Sequence, residues 1–287
     1  MRPLFLAVLV LALCNGDAQV AFDLNRPSAL FVLPAELHEV SALTDVDART
    51  VACLQDEDAT LYLLDAATGR ITGKHAFGPP GDMEGLTRVG EEYYALRSDG
   101  LVYRMHLGTG SAQVLDTFRV RLPQDNLEGL GHDERMRRLI IAPKGVAKGG
   151  PEDRGQRALF AYDLSERKLL PEPVMRLSVE DIVVMARDAG IRVPTRTTPK
   201  GREVPAVKLR FSSVAIDPIN DHHYLLSAMD RLLLVVDRNG RFITLHQLDA
   251  SVFPKPEGIT FLPDGTLLIN SEGKDARPVL ARFERER

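Results

Sequence analysis

The sequence predicts an all-β protein, a β-propeller with five visible blade repeats, because an acidic residue returns at a near-constant interval. Glu39, Glu84, Glu128 and Glu257 each precede a short apolar run, and three of them stand directly before Gly. The first two intervals are 45 and 44 residues, and the third, 129 residues, is close to three further periods. A period in the forties that is built from short strands is typical of a propeller blade.

Within each repeat, short aliphatic and β-branched runs are separated by turn sequences. After Glu84, strands are predicted at 85–89, 93–96 and 101–105, before the turn Gly-Thr-Gly at 108–110. Thr-Gly, Asn-Gly and Asp-Gly pairs between such runs are typical of β-hairpins. We therefore expect five blades, with six as the alternative.

An insertion of about forty residues interrupts the repeats, because Ser213 follows Glu128 by 85 residues. The insertion, about 171–210, includes a predicted helix over 179–189 that Ser178 caps. Four apolar residues fall on one face of that helix: Ile182, Met185, Ala186 and Ala189. A single apolar run at 206–211 is all that suggests a sixth blade, so an insertion is favoured.

The N-terminal run 29–33 is the candidate for closing the ring. It is extended and apolar, and it stands before the first repeat. Propellers commonly close by pairing a terminal strand with the sheet at the opposite end of the chain, which removes exposed edges.

The first residues predict export. Arg2, the apolar run 3–13 and the small residue Ala18 form a signal-peptide pattern over 1–18, and 19–287 is then one propeller domain. We expect a periplasmic or secreted monomer without a transmembrane span after cleavage. Lipidation at Cys14 is less favoured because Leu13 is large. A net charge of −4 gives no indication of a nucleic-acid or anionic-membrane partner.

The four glutamates are candidate metal ligands. Residues at one repeat position of a propeller gather in a ring around its axis, and Ser213 or Ser212 would complete a ring with Glu39, Glu84, Glu128 and Glu257. Crowded carboxylates repel, and Ca²⁺, or another divalent cation, would relieve this with hard oxygen ligands. The alternative is that each Glu accepts hydrogen bonds from backbone N–H groups of the next blade.

A second ring is expected where the following strand of each blade ends. Its positions differ between blades, as a substrate-facing rim would, although solvated turns would look the same. A small anionic ligand is the partner that the cations there suggest. The substrate-side candidates are Arg97, Lys144, Ser213, Asp230 and Glu272.

At these motifs the chain resembles the SdiA-regulated family of bacterial β-propellers. The matching elements are Glu-Val-Ser-Ala-Leu at 39, Asp-Met-Glu-Gly-Leu at 82, Asn-Leu-Glu-Gly-Leu at 126, Ser-Ser-Val-Ala-Ile-Asp at 212, Lys-Pro-Glu-Gly-Ile at 255 and Ile-Asn-Ser-Glu at 269. The family is similar to phytase-like and gluconolactonase-like propellers. That resemblance implies a Ca²⁺ or other divalent ion at the four glutamates, with Lys144 and Glu272 beside it.

Two functions are open on this sequence. The favoured one is an exported propeller that binds a divalent cation and serves as a binding or scaffold protein. The alternative is a metal-assisted hydrolase acting on a phosphoester, ester or lactone, in which Lys144 or Arg97 steadies an anionic substrate. Whether the protein is an enzyme is left open by the residues alone.

Overall fold

In a computed structural model, which describes residues 21–146 and 154–286, five antiparallel sheets form the blades and a sixth, two-stranded sheet lies in the insertion. The predicted signal peptide and Cys14 lie outside the described residues. The strands of blades 1 and 2 are β2 (Val40–Asp45), β3 (Thr50–Gln55), β4 (Thr60–Asp65), β5 (Ile71–Ala76), β6 (Met83–Val89), β7 (Glu92–Arg97), β8 (Leu101–Leu107) and β9 (Ala112–Arg119). The strands of blade 3 are β10 (Leu127–Asp133), β11 (Arg138–Pro143), β12 (Gln156–Asp163), β13 (Lys168–Leu169) and β14 (Met175–Ser178).

The remaining elements complete the insertion and two further blades. The insertion contains α1 (Val179–Asp188) and a hairpin of β15 (Thr195–Thr197) and β16 (Glu203–Pro205). Blade 4 comprises β17 (Ser213–Ile216), β18 (His223–Ser227), β19 (Leu232–Val236) and β20 (Phe242–Gln247). Blade 5 comprises β21 (Lys255–Phe261), β22 (Leu267–Glu272), β23 (Val279–Phe283) and the N-terminal β1 (Ala29–Val32), and a short 3₁₀ helix, Ala35–Leu37, follows β1.

The first strand of every blade is the innermost one. β2, β6, β10, β17 and β21 each contact the corresponding strands of both neighbouring blades, which closes a ring of five. The five-bladed prediction is therefore confirmed, and 206–211 is not part of a sixth blade. Corresponding residues of the five strands consequently surround one axis.

The ring is closed by the N-terminal strand, as predicted. β1 pairs antiparallel with β23, with Ala29 opposite Arg282 and Val32 opposite Val279. Without β1, the backbone groups at this edge of β23 would be unpaired, and an unpaired edge is a template for association with other chains.

Apolar side chains between consecutive blades form the core. Leu54 of blade 1 packs in one cluster with Met83 and Met105 of blade 2, and all three are fully buried. Burial of one such side chain contributes about 1.5–3 kcal/mol. Because of this packing, the ends of the innermost strands are held on a rigid frame.

The predicted helix exists, but its buried face differs slightly from the prediction. Ser178 caps it, since its hydroxyl accepts a hydrogen bond from the N–H of Asp181 at 3.2 Å. Ile182, Val183 and Ala186 are buried, whereas Met185 is 39% exposed and Ala189, the residue after the last helical one, is also exposed. Val183 replaces Met185 because the helix packs on β14 and β20 with the face centred on these three residues. Among the described residues, no helix has the length and apolar character to cross a bilayer.

Candidate functional site

A β-bulge interrupts the start of the innermost strand in four blades. The pairing register shifts between Val40 and Ala42, Met83 and Gly85, Leu127 and Gly129, and Pro256 and Gly258. A bulge leaves one extra residue outside the ladder and redirects its side chain. The extra residues are Ser41, Glu84, Glu128 and Glu257. In blade 4 the equivalent residue is Ser212, whose N–H bonds to Leu226 O directly before β17.

This register places Ser41, not Glu39, in the ring with the other glutamates. Glu39 lies two residues earlier, where its carbonyl accepts a hydrogen bond from Asp56 N at 3.1 Å. The carbonyls of Asp82 and Asn126 accept the matching bonds in blades 2 and 3. The prediction that Glu39 shares a ring position with Glu84 is therefore wrong, because the repeat is aligned by the bulge and not by the acidic residue.

In two blades the bulge residue joins neighbouring blades instead of facing a ligand. The Ser41 hydroxyl donates to the carbonyl of Met83 at 2.6 Å, and the Ser212 hydroxyl donates to the carbonyl of Pro256 at 3.2 Å. An ionised carboxylate has no proton to donate to a carbonyl. The three glutamates at this position therefore need other partners.

In both Glu128 and Glu257, one carboxylate oxygen pairs with a lysine and the other does not. Lys144 Nζ lies 2.7 Å from Glu128 Oε1, and Lys255 Nζ lies 3.0 Å from Glu257 Oε1. Asn126 also donates to Glu128 Oε1 at 3.0 Å. The second oxygen of each glutamate, Oε2, is buried without a hydrogen-bond partner, and the two side chains are only 1% and 3–4% exposed. Two buried carboxylate oxygens, one in blade 3 and one in blade 5, thus lack a hydrogen-bond partner among the described residues.

Glu84 makes no hydrogen bond or ion pair with any described residue. Burial, and then the negative charges of Glu128 and Glu257, raise the pKa of Glu84 to about 10. Burial and Glu257 raise the pKa of Glu128 to about 7, although Lys144 opposes this shift. Burial also raises the pKa of Glu257. The negative charges of Glu128 and Glu257 therefore oppose the ionisation of Glu84, and Glu257 opposes that of Glu128. Such mutual repulsion is expected of carboxylates that meet around one axis.

A second group of acidic residues adjoins the first through Lys255. The Lys255 ammonium forms a salt bridge with Glu272 as well as with Glu257. Burial and the charges of Glu39 and Glu272 raise the pKa of Asp56 to about 7, and Asp56 Oδ1 is buried without a partner. The two adjoining groups of carboxyls therefore share one lysine cation, Lys255.

Three of the predicted substrate-side residues have structural roles. Arg97 is held by Asp99, with Nε and Nη2 donating at 2.9 and 2.8 Å. Asp230 Oδ2 accepts from the backbone N–H groups of Lys208 and Leu209 and from the Ser227 hydroxyl. Ser213 is buried within β17. Lys144 and Glu272 are the two candidates that the structure brings to the glutamates.

Sequence reasoning missed Lys255 and Asn126 as members of the site. Both stand two residues before a ring glutamate, in Lys-Pro-Glu and Asn-Leu-Glu. Alternate residues of an extended strand share one side, which was the signal that could have identified them. Across the described residues, no set of three or more His, Cys, Asp or Glu side chains has the arrangement of a metal site.

Comparison with known proteins agrees with this architecture. Residues 172–274 match the SdiA-regulated family model. The predicted SdiA-regulated resemblance is thus confirmed over the insertion, blade 4 and the first two strands of blade 5, a stretch that contains Ser212 and Glu257. None of the curated proteins matches the chain.

A solved structure shows the same fold. The crystal structure of Myxococcus xanthus glutaminyl cyclase is similar, with a TM-score of 0.58, 14% sequence identity, and coverage of 91% of this chain and 96% of the other. At this identity the likeness concerns the fold alone. The SdiA-regulated match and this likeness therefore support the propeller and leave the chemistry to the site.

Proposed function

We propose that this protein is an exported propeller that binds a divalent cation, Ca²⁺, through Glu84, Glu128 and Glu257, and acts as a binding or scaffold protein. The observation that carries the proposal is the pair of unpartnered buried oxygens, Glu128 Oε2 and Glu257 Oε2. Unsatisfied buried acceptors are costly, and hard oxygen donors of this kind are the ligands that Ca²⁺ takes. Because no three carboxyls of the described residues stand in the arrangement of a metal site, the proposal requires that these side chains move together around the ion as it binds.

The charges around the three glutamates favour a bound cation, and not a further hydrogen-bond donor, as the missing partner of their carboxylate oxygens. Glu84 has no lysine of its own, and burial, together with the neighbouring carboxyls, raises its pKa to about 10. A divalent cation would lower the pKa of all three glutamates, so binding would release protons near neutral pH. Lys144 and Lys255 limit the affinity because their ammonium groups repel the ion.

Calcium is expected to bind with one ion per chain and to raise the melting temperature relative to chelator. A ligand present at a hundred times its dissociation constant adds about 2.7 kcal/mol to stability. Isothermal titration in two buffers of different ionisation enthalpy would measure affinity and proton release together. The variant E84Q/E128Q/E257Q should fold but neither bind Ca²⁺ nor be stabilised by it.

The matched control is E57Q/E91Q/E166Q, which neutralises three exposed glutamates. This variant should bind Ca²⁺ as the wild type does. Absence of bound ion after purification, together with an unchanged melting temperature on adding Ca²⁺, would contradict the proposal.

One observation favours the hydrolase as a second candidate. The pKa of Asp56 is raised to about 7, which suits a general base near neutral pH. A bound cation would polarise the ester, phosphoester or lactone group of a substrate. Asp56 would then accept a proton from the attacking water, and Lys144 would hold a small anionic part of the substrate.

If the protein is such a hydrolase, D56N should lower kcat by about 10²–10⁴-fold and abolish the acid limb of the pH–rate profile near pH 7. p-Nitrophenyl acetate, p-nitrophenyl phosphate and a small lactone are suitable substrates in the presence of Ca²⁺. D275N, at an exposed loop position, is the control and should keep full activity. Wild-type protein that binds Ca²⁺ but turns over none of the three would leave the binding or scaffold function.

A further inference from the structure

The insertion between blades 3 and 4 carries a basic hairpin that is separate from the propeller sheets. β15 and β16 pair only with each other, from Thr195 opposite Pro205 to Thr197 opposite Glu203. The hairpin is anchored at its base, where Ala206 N donates to Pro194 O at 2.7 Å. It is thus an ordered projection and not part of the packed core.

The charge of this hairpin is opposite to that of the rest of the chain. Residues 192–205 contain four basic residues and one acidic residue, Glu203, whose carboxylate accepts a hydrogen bond from the Thr197 hydroxyl. Because the whole chain carries −4 and the hairpin carries +3, the other residues together carry −7. The four basic residues are Arg192, Arg196, Lys200 and Arg202.

The side chains of these four cations have no charged or hydrogen-bonding partner among the described residues. All four are exposed, and none of their side chains forms a salt bridge or hydrogen bond with any described residue, whereas the nearby Arg157 is buried and donates to the carbonyls of Lys208 and Leu209. Arg157 holds the insertion in place, so the exposed cations are not required for that.

The surroundings distinguish between anionic partners. Residues 192–210 contain no aromatic side chain on which a nucleic-acid base could stack. Several exposed cations on a projecting element suit an anionic lipid surface, whose headgroups can gather around them.

We propose that the hairpin 192–205 docks this protein on an anionic phospholipid surface. The contact would be electrostatic and reversible, because each basic residue near such a surface contributes about 1 kcal/mol and salt screens it. The proposal does not depend on a cation at the glutamates, and chelator can be present throughout.

Co-sedimentation of the full chain with vesicles tests this. Binding is expected to vesicles of phosphatidylglycerol and phosphatidylcholine at low salt, and not to phosphatidylcholine alone. The variant R196S/K200S/R202S should bind roughly 100-fold more weakly, given the contribution of each basic residue. R49S/R70S/R121S removes the same charge from exposed, unpaired arginines elsewhere and should bind as the wild type does.

Three results would overturn the proposal. They are absence of phosphatidylglycerol-dependent binding, equal weakening by both triple variants, and binding to RNA without binding to vesicles. Because the hairpin lies outside the blade sheets, all variants should show unchanged circular dichroism and melting.

Discussion

Lys255→Met is expected to lower the free energy of unfolding by about 2–3 kcal/mol near neutral pH. This is less than the roughly 3–5 kcal/mol for removing one partner of a fully buried ion pair, because the Lys255 side chain is 30% exposed. The Lys255 ammonium lies between Glu257, which is buried, and Glu272, whose side chain is 12% exposed. Removing it would leave Glu257 with neither oxygen paired, because Oε2 already lacks a partner.

The loss should shrink as the pH falls. Burial raises the pKa of Glu257 in the folded state, so the folded protein binds a proton there more readily than the unfolded chain does. Above the folded pKa the ionised carboxylate destabilises the protein, and below it this penalty disappears. Removing Lys255 would raise that pKa further, so the deficit should be largest at about pH 8 and smaller at about pH 5.

Urea unfolding at these two pH values, in the presence of chelator, measures the effect. Lys168→Met is the matched control, because Lys168 pairs with Glu166 on the surface with side chains 60% and 63% exposed. Exposed pairs contribute about 0–1 kcal/mol, so this variant should be nearly unchanged. An equal loss for both variants, or a loss at Lys255 that does not depend on pH, would contradict the pairing described here.

Gly85→Ala is expected to destabilise the protein by about 3 kcal/mol, since overpacking a rigid core costs about 1–3 kcal/mol and more where backbone must move. A Cβ atom at Gly85 would lie 2.6 Å from the carbonyl oxygen of Glu128 and 2.8 Å from the Cβ of Leu130. Both belong to the innermost strand of the next blade. The same change should also weaken Ca²⁺ binding, because it displaces the backbone that carries Glu128.

Thermal melting and calcium titration of Gly85→Ala test both effects. Gly108→Ala is the control, because the nearest atom to its Cβ would be Ser111 O at 3.2 Å in an exposed turn. That variant should melt within a few degrees of the wild type. A Gly85→Ala protein as stable as Gly108→Ala would show that the blades are not packed as closely as described.

The close contact at Gly85 also explains the Glu-Gly motif. Gly129 and Gly258 are also crowded, but their nearest atoms belong to the second strand of the same blade: Ala142 Cβ at 2.8 Å and Asn270 Nδ2 at 2.7 Å from the added Cβ. The next blade follows at 3.3 Å for Gly129, at Ser213 C, and at 2.9 Å for Gly258, at Ala42 C. Gly is needed because the bulged strand lies close to its own partner strand and to the next blade. The Gly of the Glu-Gly motif is therefore explained by packing, and only the Glu is a candidate for binding a ligand.

Local patterns were enough to predict the five blades, the N-terminal strand that closes the ring and the capped helix, expected over 179–189 and found over 179–188. They also predicted the meeting of Glu84, Glu128 and Glu257, but wrongly included Glu39. Each of these follows from a period, a turn sequence or a cap, which are properties of neighbouring residues. The tertiary structure decided which blade supplies each ring residue, since a one-residue bulge moved Ser41 into the place predicted for Glu39. It also decided that Lys144 and Lys255 lie on the carboxylates while Arg97 is held by Asp99. Each of these pairs lies within one blade, and Lys255 with Glu257 and Arg97 with Asp99 are only two residues apart. What no local pattern encodes is which of these cations lies beside carboxyls from other blades, because Glu84, Glu128 and Glu257 meet only through the packing of three separate sheets.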